Sequence, residues 1–166
     1  MKLKIAAVAA LLLAGAAAPA LAAQSSGTVT ANATVIQPLT ITQTTAMDFG
    51  KLVMDAGSPG LGTVTLAAGT SARTPSGGVD LVGTSAAAGV VQVVGQTGNT
   101  YTVTLPTSTT LTGPGTAMTL DTFASSDTLT SISGTNSVHI GAVLHVNAAQ
   151  TAGGYTGSFV VTAAYD

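Results

Sequence analysis

Period-two alternation, in runs too short and too often interrupted for helices, dominates this sequence. In residues 138–146, VHIGAVLHV, Ile140, Ala142 and Leu144 fall on one side while His139 and His145 fall on the other. Such alternation is the mark of a strand with one buried face. The run GSFVVTAAYD at 157–166 sets Phe159, Val161, Ala163 and Tyr165 against Ser158, Val160, Thr162 and Ala164. The run GTVTANATVI at 27–36 sets Val29, Ala31, Ala33 and Val35 against Thr and Asn. Further short runs follow the same rule: PLTIT (38–42), GTVTLA (62–67), VDLVG (79–83), GVVQVVG (89–95), NTYTVTLP (99–106), TAMTL (116–120) and TLTSIS (128–133). Between them lie turn signals: GSPG, TPSGG around Pro75, QTGN, TGPG, SGTN and AGG.

Many short strands with frequent turns predict an all-β chain, an Ig-like β-sandwich in general character. The expected core is small and poor in aromatics: Phe49, Leu52, Val64, Leu66, Val91, Val93, Tyr101, Val103, Leu105, Met118, Leu120 and Leu144.

The first residues predict export. Lys2 and Lys4 precede an apolar run from Ile5 to Ala18, and Pro19-Ala20-Leu21-Ala22 supplies a small-x-small cleavage pattern. A cleaved signal peptide is expected over residues 1–22, leaving no membrane span afterwards. The remainder has the size of one domain and can bury a core without disulfides, which a chain with no cysteine cannot form. Beyond Lys4 the cations are Lys51 and Arg73, against Asp48, Asp55, Asp80, Asp121, Asp127 and Asp166. This balance offers no basic patch for nucleic acid.

The chemistry-bearing residues are few. His139 and His145 share a face, but six residues of strand hold them roughly 20 Å apart. Two ligands of one zinc ion must each lie about 2 Å from it, so one regular strand cannot bring both to a metal. The aspartates form no calcium loop, there is no glutamate, and no nucleophile or nucleotide motif occurs. The expectation is a protein that is not an enzyme, with no catalytic residue, metal or cofactor.

Two alternating segments then stand out. The stretch bearing Val29, Ala31, Ala33 and Val35 reads equally as an ordinary first strand or as a strand donated to another molecule. The terminal strand reads as one whose free edge takes a partner by β-strand addition.

The stretch GTVTANATVIQPLTITQTTAMDFGKL resembles the start of archaic chaperone–usher pilins and spore-coat-U-type subunits: an alternating segment, a short connection, a second strand, then an acidic or amide residue before Phe-Gly, here Asp48-Phe49-Gly50. It is also similar to a cysteine-free family of small secreted Gram-negative β-proteins. Chaperone-assisted pilins end in an alternating strand with a penultimate aromatic and a glycine fourteen residues from the end, places held here by Tyr165 and Gly153. Many of the resembled subunits carry a cysteine near the position of Leu39, which this chain lacks.

The resemblance implies a sandwich missing its final strand and completed by donor-strand exchange. Residues 23–35 would be the donor segment, with Val29, Ala31, Ala33 and Val35 as its inserted face, and residues 36–166 the pilin-like domain. Gly153, Phe159, Val161, Ala163 and Tyr165 would mark the strand that borders the acceptor groove and pairs with a chaperone. The implied protein is a structural subunit of a surface fimbria. Its partners would be further copies of itself, head to tail, with a periplasmic chaperone and an outer-membrane usher. It would pass through the periplasm to the cell surface. The alternative is a monomeric secreted or surface-bound module that binds a glycan or polymer, in which residues 28–36 pair within their own chain.

Overall fold

The computed structural model describes residues 24–55, 60–126 and 134–166. The expected signal peptide and the run TLTSIS lie outside them, the latter wholly within the stretch 127–133. Among the described residues there is no helix, and the chain is all-β. The strands are β1 Thr40–Thr45, β2 Lys51–Met54, β3 Gly62–Leu66, β4 Arg73–Ser76, β5 Val79–Val82, β6 Gly89–Val94, β7 Tyr101–Thr104, β8 Ser108–Leu111, β9 Met118–Ser125, β10 Thr135–Val146 and β11 Thr162–Tyr165.

One layer of the sandwich is a seven-stranded antiparallel sheet organised around β10. The first half of β10 pairs with β6 (Val138 opposite Val91) and the second half with β3 (Leu144 opposite Val64). Strand β9 pairs with the same second half (Leu144 opposite Leu120), so β3 and β9 occupy opposite edges of β10 there. Strands β1, β4 and β8 extend the sheet from β6, β3 and β9. Alternation decides which side chains are buried. Val138, Ile140, Ala142, Leu144 and Val146 point into the core, whereas His139, Val143 and His145 take the half-exposed outer face.

The facing layer is divided into two ladders, β2–β5 and β7–β11. Each packs on its own part of the large sheet. Val79, Leu52, Met54 and Leu81 of the first ladder lie against Val64, Leu66, Leu120 and Leu144. Tyr101, Val103, Ala163 and Tyr165 of the second lie against Val91, Val93, Val138 and Ile140. Met47, Phe123 and Phe159 touch both clusters, the two phenylalanine rings meeting at 4.8 Å in a tilted arrangement.

Of the expected core, nine residues are buried, while Leu52, Val103 and Leu105 are half-buried against it. Two local expectations are corrected. The TPSGG segment, read as a turn, supplies the last three residues of β4. Pro75 lies opposite Val64 on the outermost strand of the sheet, where the lost N–H costs no ladder bond, and Gly77-Gly78 alone make the turn. The run 27–36, read as strand-like, carries no strand: residues 24–39 pair with nothing in a ladder and the next strand begins at Thr40.

Candidate functional site

The divided layer leaves an open groove of about 1110 Å³ within the compact unit of residues 35–166. One wall runs from Ile41 in β1 through residues 45–54, the other from Gln150 to Phe159 and on to Val161. The floor is the inner face of the large sheet: Val91, Met118, Leu120, Ile140, Leu144 and Val146. The site is therefore a slot over the core, walled by backbone that still has a free side.

The first wall is held by polar contacts that explain the Asp48-Phe49-Gly50 motif. Asp48 exchanges both backbone hydrogen bonds with Ala87, at 2.8 and 2.9 Å, and its Oδ1 accepts from the Gly50 N–H at 2.7 Å. Phe49 is thereby turned into the core. Gly50 has φ +68°, and a Cβ there would lie 1.9 Å from the Ser85 carbonyl oxygen, so only glycine fits. Arg73 fastens the same corner: its Nη1 donates to the carbonyls of Phe49 (2.8 Å) and Lys51 (3.3 Å), its Nη2 to that of Gly83 (2.6 Å).

The second wall is the C-terminal segment. Thr156 bridges to Thr112, and β11 pairs with β7, Tyr165 lying opposite Tyr101. Between these anchors, residues 157–161 belong to no ladder, and the Ser158 carbonyl accepts from Thr109 Oγ1 at 2.9 Å. Phe159 and Val161 are half-buried and line the groove, while Val160 between them is exposed. Gly153 also lines it, in a loop packed on Pro114. Ala163 and Tyr165 lie outside the lining and pack on the Val93–Tyr101 cluster. The Tyr165 hydroxyl donates to the Gln37 carbonyl and accepts from the Gln96 N–H, both at 2.7 Å.

Val29 and Val35 are 90% and 96% exposed, and Ala31 and Ala33 are exposed as well. The groove's first wall and floor were not singled out as site residues in the sequence. The Asp-Phe-Gly turn was the available signal for that wall.

The histidines do not form a site. His145 Nε2 lies 2.9 Å from Asp121 Oδ1 on the outer face of the sheet, away from the groove. That hydrogen bond, with a second from Thr122, holds the Asp121 carboxyl below its ordinary range. Among the described residues, no group of three or more metal-ligating side chains comes together, and no helix is long and apolar enough to cross a membrane.

A family described as a domain of unknown function (DUF4402) matches residues 39–165. No curated protein and no solved structure matches the chain.

Proposed function

The chain belongs to the DUF4402 family, and from that premise we propose that it is a structural subunit of a surface fimbria, assembled by donor-strand complementation. The observation that carries this reading is the open groove. A strand inserted between two others needs about 10 Å, two inter-strand spacings, together with free backbone on both sides and an apolar floor. The groove offers the floor in Leu120, Ile140 and Leu144, and unladdered backbone at residues 157–161. The occupant is the stretch bearing Val29, Ala31, Ala33 and Val35, whose exposed small side chains suit a narrow slot.

Each valine fully buried contributes about 1.5–3 kcal/mol and each backbone hydrogen bond about 0.5–1.5 kcal/mol net, offset by the ordering of a flexible segment. Durability then comes from slow release of the inserted strand. A head-to-tail contact of this kind builds open filaments. Before assembly, an apolar groove of this size requires cover, which is the task of a periplasmic chaperone, with an usher at the outer membrane. The protein acts at the cell surface, and its role is structural rather than catalytic.

The test is a denaturing gel of surface-sheared material, with and without boiling, beside a variant lacking residues 23–33. The expected result is a heat-sensitive ladder that the deletion abolishes. A lone monomer band from both folded proteins would overturn the reading in favour of the monomeric glycan- or polymer-binding module.

A further inference from the structure

We propose that the outer face of the β2–β5 ladder is a contact surface for a second copy of this chain, packed face to face about a two-fold axis. Alternation turns Leu52, Met54, Val79 and Leu81 to the core, which leaves Lys51, Val53, Asp80 and Val82 exposed on the other side. Val53 and Val82 are 48% and 46% exposed.

The pairing register fixes how these four are arranged. Lys51 stands opposite Val82, and Val53 opposite Asp80. The side chains therefore form a near-square, with opposite charges on one diagonal and valines on the other. Beyond Lys4 the chain has two cations. One, Arg73, is engaged with the carbonyls of Phe49, Lys51 and Gly83. Among the described residues, the Lys51 ammonium and the Asp80 carboxylate enter no hydrogen bond or ion pair. Both charges, with the valines between them, are available to a partner. Asp55 continues this side of β2 beyond Val53 but lies outside the square.

Such a square is complementary to itself. A two-fold axis in the plane of the contact, along the Val53–Val82 diagonal, carries Lys51 of each copy over Asp80 of the other and each valine over its own counterpart. Two ion pairs then flank two apolar contacts. An axis along the strands would set Lys51 over Val82, and one across them would set it over Val53, so the diagonal is the choice that matches charge with charge. From the usual spacings along and between strands, the two ladders would cross at roughly 65–80°, near the orthogonal class of sheet packing. Packed sheets lie about 10 Å apart, a gap that an extended lysine and an aspartate bridge together. Four side chains bury far less than the roughly 1,200–2,000 Å² of a stable interface, so the contact is weak between free subunits. The contact does not depend on the donor strand. In a filament of the kind proposed above, its repetition would join neighbours side by side.

Zero-length cross-linking of the full chain with a carbodiimide tests this, because the reagent joins an amine to a carboxylate in contact with it. Boiling in denaturant dissolves a donor-strand ladder but not the amide, so the two contacts are read separately. The expected product is a boiling-resistant dimer in which Lys51 is joined to Asp80, with no longer series through that bond, since a two-fold contact closes on itself. Asp80→Lys, which sets lysine against lysine, is expected to lower the dimer yield roughly tenfold or more. Adding Lys51→Asp restores it with the polarity reversed. Raising the ionic strength from about 0.01 to about 1 M, which shortens the screening length from roughly 30 to 3 Å, lowers the wild-type yield. A Lys51–Asp80 link found within the monomer alone overturns the inference. So does a dimer mapped to Asp55 or another carboxylate, or a double exchange that folds without restoring the dimer. If Asp80→Lys fails to fold, the mapped link and its salt dependence still decide. A heat-sensitive ladder with no covalent dimer overturns this inference and leaves the donor reading intact; the mapped dimer with no ladder does the reverse.

Discussion

Gly50→Ala tests whether the groove wall is built as described. Gly50 and Gly83 share φ +68°, but their surroundings differ: a Cβ at Gly50 would lie 1.9 Å from the Ser85 carbonyl oxygen and 2.8 Å from Arg73 Nη1, whereas a Cβ at Gly83 would meet nothing within 4 Å. The pair separates two costs. At Gly83, alanine incurs only the left-handed backbone, about 1–2 kcal/mol. At Gly50 it incurs the same and must also push aside backbone that is hydrogen-bonded to Asp48 through the neighbouring Ala87, a further 1–3 kcal/mol or so by analogy with overpacking. The expected loss is therefore about 2–5 kcal/mol for Gly50→Ala and about 1–2 kcal/mol for Gly83→Ala. At this chain size that corresponds to roughly 2–4 °C of Tm per kcal/mol. Urea unfolding followed by circular dichroism measures both variants. Because residues 45–54 form one wall of the groove, Gly50→Ala is also expected to thin the ladder at equal folded yield, and Gly83→Ala is not. Equal stability losses in the two variants would refute the steric part of the reasoning.

Two further outcomes are expected. Leu144→Ala removes a side chain that is 2% exposed and sits between Val64 and Leu120 on the groove floor, so urea unfolding should show a loss of about 2–5 kcal/mol. For Asp121, whose carboxyl is held low by His145 and Thr122, the folded-state value lies below the unfolded one. Its small contribution is present above the ordinary aspartate range and is lost as pH falls through the lowered value. In a carboxyl-resolved NMR titration, His145→Gln should move the Asp121 midpoint up, towards that of a free aspartate.

The sequence carried the fold class because burial and alternation coincide: the inward set of β10 is every second residue from Val138 to Val146. It was poorer for strands whose ends are set by tertiary contacts. Strand β4 holds a proline and two glycines follow it, so local chemistry favours a turn; only pairing with β3 makes it a strand. Strand β2 is four residues long; the Asp48-Phe49-Gly50 turn before it is a local signal, but the Arg73 contacts that fasten it come from more than twenty residues away and no local pattern encodes them. The outer positions of the histidines follow from parity alone. His145 meeting Asp121 depends on the pairing of β9 with β10 and could not be read from the chain. Of the second wall, the alternation that turns Phe159 and Val161 to one side was legible, but the run 157–166, read as a single strand, is a strand only over Thr162–Tyr165, and the segment 157–161 that lines the groove pairs in no ladder. The floor was legible only as core, because nothing local distinguishes a buried residue covered by its own chain from one that lines an open slot.

That ambiguity bears on how such a groove could choose its occupant. Lys51 and Asp48 are the charged residues in the lining, and the Asp48 carboxylate accepts from the Gly50 N–H through Oδ1. The stretch from residue 24 to 39 has no charged side chain. Charge pairing, the usual source of partner choice at a polar interface, therefore has little to act on. Selection falls instead to backbone pairing, to side chains small enough for the slot, and to parity, which admits the apolar face only when the strand arrives in the right register. On the reading proposed above, the stretch that meets these conditions is residues 29–35 of a second copy.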